Sequence, residues 1–219
     1  MEFQGISSNF VEAGTEALAI VVFKGEKGTS SSLKDLDKLS NGHLSAAIKS
    51  EEFKGEVGDT ALIRLSPKGK MKSSGLLLVG AGEKKEYKAA GVSIAAGTAT
   101  RYLRKCNFKS FAFMPRFDGS EVEASQNSVQ GAITSQFELD KYKTKDKNTK
   151  AVTKLVVCVD GAKPAGLKSG IARGEAIGES MNFTRDLANE PPNILTPTEM
   201  ANRAAKVAKE VGLKYEVLD

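Results

Sequence analysis

Five short runs of leucine, β-branched and aromatic residues recur along the chain, and most of them are almost wholly apolar. They are 17–23 (ALAIVVF), 60–65 (TALIRL), 75–80 (GLLLVG), 110–115 (SFAFMP) and 154–159 (KLVVCV). A strand that is covered on both faces reads as a continuous apolar run, whereas a half-exposed strand alternates. The pattern therefore predicts a sheet with a covering layer on each side.

Between these runs, apolar residues recur at spacings of three and four, which is the period of a helix with one buried face. The clearest such segment is 86–106, and further helices are predicted over about 120–139 and 165–189. A weaker candidate, 33–48, is interrupted by an Asn-Gly pair. The loop between 60–65 and 75–80 is too short for a crossover helix, so these two strands are predicted to be antiparallel. Together the elements predict an α/β fold, a three-layer mixed sheet with helices on both faces.

The stretch "RDLANEPPNILTPTEM" (185–200) predicts a rigid corner between two helices. Pro191 and Pro192 have no N–H and push the residue before them out of the helical region, so the incoming helix should end near Asn189. Thr196 is a good N-cap, Pro197 suits the first helical position, and Glu199 completes the spacing of a capping box.

The helix that begins at Pro197 is predicted to end at Val211, because Gly212 is a natural stop. Residues 213–218 (LKYEVL) then read as a short strand. No further sheet sequence follows for this helix and strand to join. We therefore expect the tail to be mobile or to dock against another copy.

The length and composition narrow the class of protein to a folded domain that is neither membrane-spanning nor secreted. The chain has 219 residues, 40% of them hydrophobic, which is enough for a sizeable core. No apolar run reaches the roughly 18 residues of a membrane span, and "MEFQGISSNF" is not a signal peptide. Cys106 and Cys158 are then most simply reduced thiols. We therefore expect a cytoplasmic protein without membrane contact.

Net charge is +5, and much of the excess lies in the lysine-rich stretch 140–154. A phosphate-binding role for these lysines is one interpretation. The stretch has no arginine and only one aromatic residue, Tyr142, so we interpret it as a solvated loop. We do not expect nucleic acid as a partner.

The familiar catalytic patterns are missing. "VGAGEKK" (79–85) has Lys85 where a dinucleotide fingerprint needs glycine, so it predicts a plain turn. The single histidine, His43, has no nucleophile near it in the sequence, and the carboxylates are scattered among lysines. The sequence thus predicts no catalytic residue, no cofactor-binding residue and no metal ligand in this chain.

Residues 185–219 resemble the segment that joins the two domains of the leucyl (cytosol) aminopeptidases. That family has an Asn-x-Pro-x-Asn-x-x-Thr-Pro corner, matched here by Asn189, Pro191, Asn193, Thr196 and Pro197. Three upstream segments resemble the family in the same order: 53–63 (FKGEVGDTALI), 76–87 (LLLVGAGEKKEY) and 131–145 (GAITSQFELDKYKTK). In the last of these, Leu139 stands where the family usually has phenylalanine.

The resemblance implies that this chain is the N-terminal domain of such a protein, with a macrodomain-like fold and no catalytic residues. It implies an N-terminal α/β domain over 1–164, a connecting helix over 165–190, and a hinge with the first helix and strand of the catalytic domain over 191–219.

The missing catalytic domain would be the main partner of this chain. In the parent it would hold two divalent metal ions, Mn or Zn, which activate a water and polarise the scissile carbonyl. The parent would release N-terminal amino acids from peptides and assemble as a homo-hexamer.

Two other functions stay open at this point. The macrodomain-like fold suggests a free-standing module that binds a nucleotide or ADP-ribose, although this is analogy at the level of the fold. The sequence lacks a glycine-rich loop at a strand–helix junction, which argues against it. The other is a DNA-binding domain that uses the lysines of 140–154, and salt-dependent binding would distinguish it.

Overall fold

The computed structural model of the protein describes residues 1–7, 10–31, 33–67 and 72–218. It divides into two compact units, Met1–Ser180 and Met181–Asp219. None of the helices in the described ranges is both long and apolar enough to cross a bilayer.

The described residues of the first unit form one sheet of six strands. They are β1 (Glu2–Ile6), β2 (Ala17–Val22), β3 (Thr60–Arg64), β4 (Gly75–Gly80), β5 (Ser110–Met114) and β6 (Lys154–Cys158). Their order in the sheet is β1-β6-β5-β2-β4-β3. All neighbours are parallel except β3 and β4, which are antiparallel. The five predicted strands and the antiparallel pair are confirmed.

The periodic pattern missed β1. Its sequence, EFQGI, contains two polar residues and a glycine, and it lies at the edge of the sheet with only β6 beside it. An edge strand buries less side-chain surface than a central strand, so its sequence needs no apolar run.

The part of the chain that the structure describes also contains six α-helices. They are α1 (Lys34–Leu39), α2 (His43–Lys49), α3 (Ala89–Lys105), α4 (Glu121–Ser135), α5 (Pro164–Ala188) and α6 (Pro197–Val211). The weak candidate at 33–48 is two short helices, and Gly42 between them has a φ of 81°. The predicted helix 120–139 ends earlier, at Ser135. The next side chain, Gln136, pairs with both backbone groups of Val152, at 3.1 and 2.7 Å.

The sheet is covered on both faces, as predicted. Alternate residues of β2 point to opposite sides, and every residue of β2 and β4 is buried. Ala17, Ala19 and Val21 share a core with apolar residues of α3 and α4. Leu18, Ile20 and Val22 share the other core with leucines of α1 and α2. The fold is therefore a three-layer α/β fold with a mixed sheet.

Helix α5 lies against α4 through glycines spaced four residues apart. They are Gly166, Gly170, Gly174 and Gly178. A Cβ on Gly170 would come within 2.0 Å of Ser125 Oγ and 2.4 Å of the Val122 carbonyl oxygen. Glycine in a helix costs about 1 kcal/mol relative to alanine, so close approach of the two backbones explains its repeated use here.

The second unit contains the Pro-rich corner and α6. Thr196 accepts a hydrogen bond from the Glu199 N–H at 3.3 Å, and Gly212 ends α6 with a φ of 73°. These predictions are confirmed. The carboxylate of Glu199 binds Arg203 at 2.8 Å, so only one of the two bonds of the predicted capping box is present.

The predicted strand at 213–218 is wrong. These residues have no regular structure, and the Tyr215 hydroxyl donates a hydrogen bond to the Ala201 carbonyl of α6. A strand needs a hydrogen-bonded neighbour, and none of the described strands pairs with this segment.

We expect Gly170→Ala to destabilise the first unit despite the better helix propensity of alanine. The new methyl group would overlap the Val122 carbonyl, and such overpacking costs about 1–3 kcal/mol. Urea unfolding of the purified chain measures the change. Ser169→Ala, at the neighbouring exposed position, is the control and should change stability by less than about 0.5 kcal/mol. Equal stability of the two variants would contradict this account of the α4–α5 contact.

Candidate functional site at the carboxyl edge of the sheet

The order of the strands identifies where a ligand would bind. The chain leaves β2 for α1 and α2 on one face, but leaves β4 and β5 for α3 and α4 on the other. The connections therefore diverge at the carboxyl end of β2. In open α/β sheets, ligands bind in the crevice that opens at such a topological switch point. The residues that follow β2 and β5 are thus the first candidates for a functional site.

A buried ion pair lies in this crevice. Glu26 follows β2 and Arg116 follows β5, and their side chains meet in a two-bond contact with both N–O distances at 2.7 Å. The guanidinium also donates to the Val21 carbonyl at 2.8 Å. Each side chain is only 13% exposed. Planar guanidinium–carboxylate pairs of this kind combine charge with fixed geometry, so the pair joins the ends of two neighbouring strands.

The carboxylate of Glu26 has further donors. The Phe23 N–H donates to it at 3.2 Å and the Ser30 hydroxyl at 2.9 Å. Burial raises the pKa of Glu26, but the hydrogen bonds from Arg116 and Phe23 outweigh it and leave the pKa below its ordinary value. Glu26 is therefore ionised at neutral pH, and its lone pairs are occupied.

Aromatic rings close the rest of the crevice. Arg116 Cζ lies 5.1 Å from the centre of the Phe23 ring, within cation–π range. Tyr87 contacts Phe23 and Phe117 edge-on, with ring centres 5.3 and 6.2 Å apart. Its hydroxyl donates to the Pro115 carbonyl at 2.8 Å. Burial raises the pKa of Tyr87 far above its usual range, against the opposing charge of Arg116. This hydroxyl therefore stays protonated and acts as a structural donor.

The glycines of "VGAGEKK" allow close contacts between backbone segments. A Cβ on Gly80 would lie 2.1 Å from the Glu56 carbonyl oxygen, so only glycine lets the loop around residue 56 approach. Gly82 has a φ of 72° and bonds the backbones of Gly55 and Lys24, at 2.8 and 2.9 Å. The segment is a turn followed by a short 3₁₀ turn, and the next helix begins only at Ala89. These glycines hold loops together and do not form a phosphate cradle at a helix start.

Two cavities remain beside the ion pair, of about 260 and 460 Å³. The smaller one carries Lys84, which is paired with Asp118 at 3.2 Å. The larger one carries Lys24, which is paired with Glu56 at 2.7 Å. The larger one is also lined by Lys27 and Lys54.

The titratable residues singled out in the sequence lie apart from this crevice or are inert. His43 is exposed at the start of α2. Cys106 follows the end of α3, and both cysteines are free thiols. Cys158 is buried at the end of β6, where burial raises its pKa to about 12, so it is not a nucleophile at neutral pH. Within the described ranges, no three His, Cys, Asp or Glu side chains lie close enough to hold a metal ion. That the chain has no catalytic, cofactor-binding or metal-binding residue stays a prediction.

The lysine-rich stretch is exposed throughout 141–150. Part of its charge is used internally, since Lys143 pairs with Asp140 and Lys150 donates to the Lys105 carbonyl at 3.3 Å.

The Glu26–Arg116 pair escaped the sequence analysis because the two residues are ninety positions apart. One signal was available. Each residue comes a few positions after an apolar strand, and the carboxyl ends of neighbouring parallel strands lie at the same edge of a sheet. The sequence does not say which strands are neighbours, so this pairing became visible only with the strand order.

The fold and the site define a three-layer α/β domain with a buried ion pair at the edge of the sheet where a ligand would bind. The profile of the cytosol aminopeptidase family, N-terminal domain, matches residues 19–146. The chain is 35% identical to a probable cytosol aminopeptidase of Solibacter usitatus, covering 93% of this chain and 39% of that protein. It is 36% identical to one of Acidobacterium capsulatum, covering 80% of this chain and 35% of that protein.

Among solved structures, a tomato leucine aminopeptidase mutant, K354E, superposes with a TM-score of 0.83 and 22% identity, covering 96% of this chain and 42% of that chain. The bottromycin maturation enzyme BotP in complex with Mn gives a TM-score of 0.65 and 21% identity, covering 90% of this chain and 37% of that chain. At these identities the structures show the fold alone.

The chain therefore belongs to the cytosol aminopeptidase family and corresponds to its N-terminal domain. It spans less than half the length of the relatives that it matches. The resemblance seen in the sequence is thus confirmed.

We expect Glu26→Gln to lower the free energy of unfolding at pH 7 by about 2–4 kcal/mol, because Arg116 then loses its buried counter-charge. The ordinary pKa of the group is 4.5, and it is lower in the folded state. The ion pair thus stabilises the fold above pH 4.5, and this stabilisation is lost as pH falls further. The difference between the two proteins should therefore shrink below pH 4.5.

Urea unfolding between pH 7 and pH 3 measures both effects. Glu56→Gln is the matched control, because the pair of Glu56 with Lys24 is about half exposed and should contribute less than about 1 kcal/mol. A Glu26→Gln protein that unfolds in parallel with the wild type over the whole range would show that the crevice pair does not stabilise the fold.

Proposed function

We propose that this chain is the non-catalytic N-terminal domain of a leucyl aminopeptidase, a metal-dependent hydrolase that releases N-terminal amino acids from peptides. The observation that carries the proposal is the family match over residues 19–146, which is a match to the N-terminal domain of the family. The buried ion pair supports it, since Glu26 and Arg116 bind each other at the place where this architecture would take a ligand.

The parent would use two divalent metal ions, Mn or Zn. The residues described here do not fit such a centre, because no three potential ligands converge among them. We therefore assign the metal ligands of the parent to its catalytic domain. The Mn in the BotP complex is a property of that protein, and it supports a metal-dependent family in general terms only.

We propose the division 1–164 for the α/β domain, 165–190 for the connecting helix, and 191–219 for the hinge and the first elements of the catalytic domain. Arg203 of α6 supports a stiff hinge, because it binds both Glu190 and Glu199, at 3.0 and 2.8 Å. The Glu190 side chain is only 1% exposed.

A fixed bend between the end of α5 and the start of α6 is what a domain junction needs. The further partners we propose are peptides as substrates of the parent, which would act in the cytoplasm as a homo-hexamer.

We expect the purified 219-residue chain to show no hydrolysis of leucine amide with added Mn²⁺ or Zn²⁺, because no described residues form a metal centre. The full-length Solibacter usitatus relative serves as the positive control under the same conditions. Thermal unfolding provides an independent readout, since an ion that binds the native state raises the midpoint. Turnover above the metal blank, or a metal-dependent rise in the midpoint, would contradict the proposal.

A shortened chain ending at Glu190 tests the proposed hinge. If 191–219 belongs to a following domain, removing it should change the free energy of unfolding of the α/β domain by less than about 0.5 kcal/mol. Chemical unfolding of the two chains, followed by far-ultraviolet circular dichroism, measures the difference. A loss of several kcal/mol in the shorter chain would mean that the segment is part of the α/β domain itself.

A further inference from the structure

Among the strands that the structure describes, the edge strand β3 has a hydrogen-bonded neighbour on one side only. That neighbour is β4, in an antiparallel register that places Leu62 opposite Leu77. The adjoining bonds, Leu65 N–H to Ser74 at 3.0 Å and Gly80 N–H to Asp59 at 2.8 Å, show that odd-numbered residues of this segment face β4. In an antiparallel pair the alternate residues point their backbone groups away.

The outward residues are therefore Thr60, Leu62 and Arg64. Their backbone N–H and carbonyl groups point away from β4, and within the described ranges no hydrogen-bond partner is found for them on that side. Proteins usually protect such an edge with proline, lysine, a bulge or a covering segment. The strand, TALIR, contains no proline, lysine or glycine. The other edge strand, β1, contains Gly5, which weakens a strand for pairing.

The open edge is complementary to a second copy of itself. If two β3 strands run antiparallel about a twofold axis at Leu62, the leucine faces its own copy and Thr60 faces Arg64. All three outward residues of each strand then exchange backbone bonds, six in total, and no like charges face each other. Ala61 and Ile63 lie opposite one another on the other face, a small residue against a large one.

The neighbourhood leaves room for such a strand. A groove of about 470 Å³ runs between α2 and β3. It is lined by the small side chains of Ala46, Ala47 and Ser50, by the larger ones of His43 and Glu52, and by Leu62, Ile63 and Arg64. An incoming strand would therefore meet small side chains over the middle of the groove, beside those of His43 and Glu52.

We propose that β3 is a dimerisation edge, at which two copies of this chain join their sheets by antiparallel β3–β3 pairing centred on Leu62. The contact is isologous, as a twofold interface requires, because the same residues are used by both copies. The inference stands independently of the proposed enzymatic role, since it rests on the backbone register and the groove alone.

Sedimentation velocity of the 219-residue chain and of two variants of Thr60 tests the pairing. Thr60→Lys places a lysine opposite the partner's Arg64 at two symmetric positions, and should raise the dimer dissociation constant about tenfold. Thr60→Glu places a carboxylate there, and should lower it by a similar factor. Opposite effects of the two variants are expected only if position 60 faces Arg64. Circular dichroism checks that both variants remain folded.

Gln4→Lys and Gln4→Glu on β1 are the matched controls, because they make the same charge changes on the other edge. Leu62→Cys gives a second readout, since two cysteines that face each other across the axis should form a disulfide-linked dimer on mild oxidation. The wild-type chain reports any background from Cys106 and Cys158, and Gln4→Cys should not cross-link.

Three results would overturn the proposal. One is a wild-type chain that stays monomeric at its highest soluble concentration. Another is a dimer whose dissociation constant moves in the same direction, or not at all, with Thr60→Lys and Thr60→Glu. The third is cross-linking through Gln4→Cys without cross-linking through Leu62→Cys, which would place the contact on β1.

Discussion

Covering both faces of the central strands is the constraint on which the first unit depends. Strands β2 and β4 are buried along their whole length, so each face needs its own layer. The two layers differ in kind. Long helices α3 and α4 cover the face on which β2 presents alanines, and the short helices α1 and α2 cover the face on which it presents Leu18 and Ile20. Larger side chains fill the space that short helices leave.

The long helices reach each other through glycine. Gly131 of α4 lies so close to α3 that a Cβ would be 2.2 Å from the Ser93 carbonyl, and α5 repeats this against α4. The backbones of these helices are therefore in direct contact. Because protein interiors are close-packed, an added side-chain atom at such a contact destabilises the packing.

Side chains of the domain also pack closely at the carboxyl edge of the sheet. The crevice that comparable architectures leave for a ligand is occupied by Glu26 and Arg116, with aromatic rings around them. A buried ion pair contributes little net stability compared with apolar residues of similar volume, but it is costly to break. In this domain the ion pair links the carboxyl ends of β2 and β5, so its role at this edge is structural.

The sequence by itself determined the secondary structure of the buried elements, the antiparallel pair and the corner at 185–200, because apolar periodicity, proline and capping residues act over short distances. Family membership also followed from local motifs in order. Only the tertiary structure decided the strand order, the edge strand β1, the absence of a strand at 213–218 and the meeting of Glu26 with Arg116. Each of these depends on which segments become neighbours in the fold. The backbone hydrogen bonds of a strand and the counter-charge of a buried side chain come from residues that are distant in the sequence.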